Sequence, residues 1–146
     1  MKKTSVTVTM VAVIFSMVLI VLVGIAAPWL VKWFAGLRSL SKAAGMTILS
    51  AYYFCAAEAE LAMFWLYRLL RNIKTDRMFD PINTRYMLYI SNLCVGIVGY
   101  TFVSGFFYPP FFFVSAAMLF LCLIVRVVRL CFIAATEMKE ENDLTI

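Results

Sequence analysis

Three charged side chains fall deep within segments that are mostly apolar. Glu58 and Glu60 fall inside the run 46–70, and Arg126 falls inside the run 111–135. Such groups supply the chemistry of an ion pair, a proton relay or a ligand site, because a charge at the centre of a bilayer costs at least about 2.5–3.5 kcal/mol on insertion scales. With about 1.5 Å of rise per residue, Glu58 lies roughly 18 Å along its run from Met46 and Glu60 roughly 21 Å. Counted from Phe111, Arg126 lies roughly 22 Å along and Arg129 roughly 27 Å. The second and fourth runs would cross a membrane in the same direction, so equal depth predicts that one of the glutamates pairs with Arg126. Arg129 is then expected to snorkel to the inner surface. Residues two apart on a helix point about 200° apart, so the other glutamate must meet water, a polar group, a second subunit or a proton. A structural ion pair, a proton- or ligand-responsive site and a subunit contact are all compatible with this spacing.

Little else in the chain suits catalysis. There is no histidine, and two carboxylates that face different ways, without a nucleophile or a metal set, do not make an acid–base pair. A non-enzymatic protein is expected, with no catalytic residue, no metal and no cofactor. Cys55, Cys94, Cys122 and Cys131 all fall in apolar runs without a CxxC pair, and read as buried free thiols rather than a disulfide or metal site.

The elements that must position these groups follow from composition. Hydrophobic residues make up 64% of the 146 positions and charged residues 14%, against about 45–50% and about 25% in soluble domains. Lipid must therefore be part of the solvent. Four apolar runs, 6–29, 46–70, 86–107 and 111–135, each approach the roughly 20 residues that cross a bilayer. The first exceeds the roughly 7–15 residues of a signal-peptide core and reads as an uncleaved anchor. Only Tyr108-Pro109-Pro110 parts the last two, so they must be antiparallel neighbours. The expected fold is all-α, a compact integral membrane bundle of four transmembrane helices forming one domain over 1–146.

Orientation follows the basic residues. With the N-terminus inside, that side holds ten: Lys2, Lys3, Arg68, Arg71, Lys74, Arg77, Arg85, Arg126, Arg129 and Lys139. The outside holds three, Lys32, Arg38 and Lys42, so both termini are predicted to be cytoplasmic. The same distribution makes the net charge of +5 topogenic, and no direct nucleic-acid partner is expected.

The connecting segments carry the remaining candidates. In the outer segment 30–45, Leu30, Phe34, Leu37 and Ser41 recur at helical spacing beside Trp29 and Trp33, with Lys32, Arg38 and Lys42 mostly elsewhere around the wheel. This predicts a short interfacial helix, serving as a plain connector, a lid or a surface for anionic lipid. In the cytoplasmic loop 71–85, Asp80 suits an N-cap and Pro81 the first helical position. Thr136 to Asn142 should continue the fourth span into an acidic tail, 136–146. The stripe Arg68, Arg71, Lys74 and Arg77 can rest on anionic lipid at about 1 kcal/mol per residue, or attract Glu137, Glu140, Glu141 and Asp143. Small residues, Ala51, Cys55 and Ala59 on one run and Asn92, Gly96 and Gly99 on the next, mark close helix packing, within the chain or in a homo-oligomer.

Two segments carry a family resemblance. Leu69-Leu70-Arg71-Asn72-Ile73-Lys74 through Met78-Phe79 to Asn83, and Met138-Lys139-Glu140-Glu141-Asn142-Asp143-Leu144-Thr145-Ile146, resemble an uncharacterised family of small four-pass bacterial membrane proteins, domain of unknown function twenty-nine seventy-five. The resemblance implies a bacterial inner-membrane protein whose gene often neighbours one for a small helix-turn-helix regulator. It assigns no catalytic residues, and Glu58 and Glu60 stand outside its pattern. The tail agrees with docking, since Leu144 and Ile146 are apolar, follow an acidic helix and lie beyond the membrane. The expected function is a regulatory or accessory protein that binds a partner, such as that regulator or another membrane protein, through Arg71, Lys74, Arg77, Phe79, Glu140, Asn142, Asp143, Leu144 and Ile146. One alternative is a peptide-toxin immunity or envelope-stress protein using the outer segment; another is a small transporter or channel subunit using Glu58, Glu60 and Arg126.

Overall fold

The computed structural model describes residues 2–144, with the side chains of residues 2, 3 and 143 outside that description. Four helices account for nearly all of it: α1 (Lys2–Arg38), α2 (Lys42–Lys74), α3 (Pro81–Gly105) and α4 (Pro110–Leu144). α1, α3 and α4 are long and apolar enough to cross a membrane. α2 is long enough at 33 residues but is diluted by Glu58, Glu60 and several hydroxyl side chains.

Each helix ends where local chemistry stops it. α1 closes on Ser39, whose positive φ of 49° lets the Leu40 amide reach the Ala35 carbonyl at 3.0 Å and the Ser39 amide reach Gly36 at 3.4 Å. Ser41 then caps α2, its hydroxyl accepting from the Ala44 amide. α2 ends the same way on Asp76, at φ 59°, with the Arg77 amide on the Asn72 carbonyl and the Asp76 amide on that of Ile73. Both ends are Schellman turns. As the sequence predicts, Asp80 caps α3, accepting from the Ile82 amide at 3.0 Å, and Pro81 takes the first helical position.

The outer segment differs from expectation. No separate helix occupies 30–45: residues 30–38 are the last turns of α1 and 42–45 the first turn of α2. Nothing before Ser39 stops α1. Pro28 lies inside it and, lacking an N–H, leaves the Gly24 carbonyl without its helical donor. The Tyr53 hydroxyl supplies that donor at 3.0 Å, and the helix runs on.

Lateral packing also differs from a compact bundle. Among the described residues, backbones approach one another only between consecutive helices: α1 with α2, α2 with α3, and α3 with α4. The result is an open row of helices, antiparallel in sequence because the connections are short. Its accessible surface of 10012 Å² for 16.6 kDa exceeds the roughly 7,600 Å² of a soluble monomer of that mass. Lipid tails are as apolar as the side chains facing them, so no hydrophobic force closes the row. Phe15 and Ile25 of α1 and Phe120 and Val127 of α4 accordingly remain exposed.

α3 is the spine of the row. Among its buried polar side chains, Asn83 bonds the preceding loop and α2, Thr101 its own helix backbone, and Ser91 reaches Cys122 and Arg126 of α4. At the far end, Gly105 is required by contact: a Cβ there would sit 2.7 Å from the Phe112 ring, which packs edge-on to Phe102 and Phe106.

Candidate functional site

The two glutamates of α2 face different neighbours, as their spacing predicts. Glu58 points to α3 and lines a groove of about 310 Å³ with Trp65, Tyr89, Asn92, Leu93 and Gly96. The carboxylate lies against Gly96, where a Cβ would stand at an ordinary contact distance of 3.5 Å from Oε1. Glu60 points to α1. It lines a cleft of about 480 Å³ with Tyr52, Tyr53 and the middle of α1, and its buried Oε1 has no hydrogen-bond partner among the described residues.

The pairing expected with Arg126 does not form. Among the described residues Arg126 makes no ion pair with either glutamate; its Nε donates to the buried Ser91 hydroxyl at 3.1 Å. α3 stands between α2 and α4, whose backbones do not approach. Depth along a membrane normal fixes one coordinate only, and lateral order separates groups at similar depth. Glu58, Glu60 and Arg126 are therefore three sites rather than one cluster. Arg129 does not simply snorkel: its Nε donates to the Thr84 carbonyl at 3.1 Å, tying α4 to the first turn of α3.

At the loop end, Phe79 of the sequence-predicted residues lies against the tail helix, at Lys139. Asn83 is fully enclosed. Its Nδ2 donates to the carbonyls of Arg77 at 2.8 Å and Met78 at 2.9 Å, while its Oδ1 accepts from Asn72 at 2.8 Å. These bonds staple the loop to the end of α2 and the start of α3. Below the staple, Leu69, Tyr86 and Met87 form a buried cluster with Trp65, Leu66, Ile73 and Phe132 around it. The tail continues α4 as expected and passes beside the loop, with Lys139 Nζ 5.0 Å from the centroid of Phe79, a cation–π contact. Met78, Phe79, Ile82, Met138 and Leu144 are exposed, as are Arg71, Lys74, Arg77, Glu140 and Asn142. The Asp143 side chain and Ile146 lie outside the described residues.

At the opposite end, Lys32 and Lys42 line one cavity of about 400 Å³ with Pro28, Val31, Ala35 and Met46. Trp29 and Trp33 are exposed on α1, and Arg38 lies 5.9 Å from the Phe34 ring centroid. Helix continuity through residue 38 brings the two lysines together across the turn.

Sequence reading passed over Tyr52, Tyr53 and Ser91. Tyr52 and Tyr53 donate to the Ile20 and Gly24 carbonyls at 2.8 and 3.0 Å; Pro28 was the available sign that α1 needed a donor, though it names no residue to supply it. Ser91 joins Arg126 and Cys122, and nothing in a serine's spacing announces that. Among the described residues no group of His, Cys, Asp and Glu is arranged to hold a metal ion.

No curated protein and no solved structure matches the chain. One family model does, over residues 2–146, which includes the stapled loop, the buried asparagine and the tail. The chain thus belongs to DUF2975, described as a protein of unknown function.

Proposed function

We propose that the chain is a four-pass protein of a bacterial inner membrane, with both ends cytoplasmic, and that it is a non-enzymatic regulator or accessory subunit binding a partner through its loop and tail. The four-pass reading rests on packing. α2 lies along both α1 and α3, and at about 1.5 Å per residue its 33 residues span about 50 Å. A helix lying outside the bilayer could not pack along two that cross it. The positive-inside count then sets the orientation.

The contact of Lys139 with Phe79 carries the docking reading. It joins the stapled loop to the tail helix as one surface, with exposed Met78, Ile82 and Met138 beside it. Exposed apolar side chains outside the apolar runs, with exposed Arg71, Lys74 and Arg77 on the loop side and Glu137 and Glu140 on the tail, suit a protein partner. Three hydrogen bonds on Asn83 fix the loop in advance, which lowers the ordering cost of binding. A small helix-turn-helix regulator, implied by the family resemblance, is the first partner to test. The assay is co-purification in lipid discs with purified regulator, comparing the native chain, Phe79→Ala and a truncation at Thr136. Retention by the native chain and loss in both variants supports the reading; equal retention by all three, or by none, sinks it.

The cavity between Lys32 and Lys42 favours the second reading, peptide-toxin immunity or envelope-stress sensing from outside. That reading expects Lys32→Glu with Lys42→Glu to abolish protection and loop variants to leave it intact.

A further inference from the structure

We propose that the cleft between α1 and α2 binds a lipophilic organic cation, with Glu60 as its counter-ion. The cleft holds more acceptors than donors. The polar side chains of the cleft are Glu60, Tyr52 and Tyr53. Both tyrosines spend their only donor on α1: Tyr52 on the Ile20 carbonyl and Tyr53 on the Gly24 carbonyl that Pro28 leaves open. The carboxylate is thus surrounded by acceptors and apolar groups, and its Oε1 is buried without a partner. A buried acceptor in that position needs a donor or a positive charge from a ligand.

The shape of the cleft selects among positive charges. A hard cation such as Ca²⁺ takes six or more oxygen ligands, and the side chains of the cleft offer one carboxylate and two hydroxyls. Arg126, at similar depth, is held on the far side of α3 by Ser91. About 480 Å³ of space falls in the range of a small-molecule site. Its walls are Ile20, Val21, Ile25, Ala56 and Ala57, which suit an apolar body, and two tyrosine rings supply the faces that attract ammonium and phosphonium groups. The cleft is open along the α1–α2 seam, and among the described residues the backbone of α1 approaches that of α2 alone. A ligand dissolved in the bilayer can therefore enter sideways. Glu58 shares none of this, since it faces α3 across a different groove.

The test is equilibrium binding of tetraphenylphosphonium to the full chain in lipid discs of zwitterionic lipid, with empty discs subtracted. Saturable binding of one probe per chain is expected. Glu60→Gln should weaken it roughly thirtyfold or more, the effect of removing one partner of a buried charge pair. Glu58→Gln should leave it within about twofold. Ala57→Phe, which fills the cleft and keeps Glu60, should also abolish binding while far-ultraviolet circular dichroism stays native. Absence of saturable binding, equal loss in Glu58→Gln, or undiminished affinity in Glu60→Gln overturns the proposal. Equal competition by the uncharged analogue tetraphenylmethane would also overturn it, by showing an apolar cavity indifferent to charge.

Discussion

Replacing Asn83 with alanine is the sharpest test of the loop architecture. The native side chain is fully enclosed and makes three hydrogen bonds, to Arg77, Met78 and Asn72. At a net value near 1 kcal/mol for each bond, their loss totals about 3 kcal/mol. The freed carbonyls belong to residues on the exposed side of the loop and regain some hydration, which brings the cost to about 2–3 kcal/mol. The loop should register it first, because it lies outside the helices and opens locally. Hydrogen exchange in lipid discs reads this directly. The Arg77 amide, bonded to the Asn72 carbonyl at 3.0 Å, should exchange roughly thirty- to a hundredfold faster in Asn83→Ala. Asn72→Ala removes one bond and should accelerate exchange only about fivefold. The double variant should fall short of the product of the two, because both single changes break the same Asn72–Asn83 bond. Native exchange at Arg77 in Asn83→Ala would refute the staple and, with it, the preorganised loop on which the docking surface depends.

Three further changes probe the helix junctions. Gly105→Ala sets a methyl 2.7 Å from the Phe112 ring, so it should destabilise the α3–α4 turn by about 1–3 kcal/mol and lower the thermal midpoint in detergent. Tyr53→Phe strips the Gly24 carbonyl of its substitute donor; a loss of about 1–2 kcal/mol should appear as faster exchange in α1 beyond Pro28, and unchanged exchange there would count against the Pro28–Tyr53 link. Ser39→Gly relieves a positive φ of 49° and should raise stability by about 0.5–1 kcal/mol; a lower midpoint would mean that the serine side chain stabilises the turn in its own right.

Much of the chain was legible in advance, for reasons that are local. Helix type and ends follow from side chains acting within one or two turns: Asp80 and Pro81 open α3, and Thr136 onward prolongs α4. The opposed facing of Glu58 and Glu60 follows from 3.6 residues per turn alone. The family was legible in the loop and tail because those segments lie outside the apolar runs, where side-chain identity is not dictated by lipid. Its asparagine proves to be the centre of the loop staple.

What the sequence by itself determined is therefore one-dimensional: an apolar, all-helical chain, its helix limits to within a few residues except at the end of α1, and the depth of each charge along its own helix. Tertiary structure decided the lateral order. It put α3 between α2 and α4, separated Arg126 from the glutamates, and gave Ser91 the arginine instead. It also carried α1 through Pro28 by means of a tyrosine 25 positions later in the chain, and left Glu60 facing a cleft without a donor. The physical reason is that helix formation uses nearby residues, whereas neighbour choice among apolar helices is set by shape and a few polar contacts between distant ones. No spacing rule along one helix encodes those contacts.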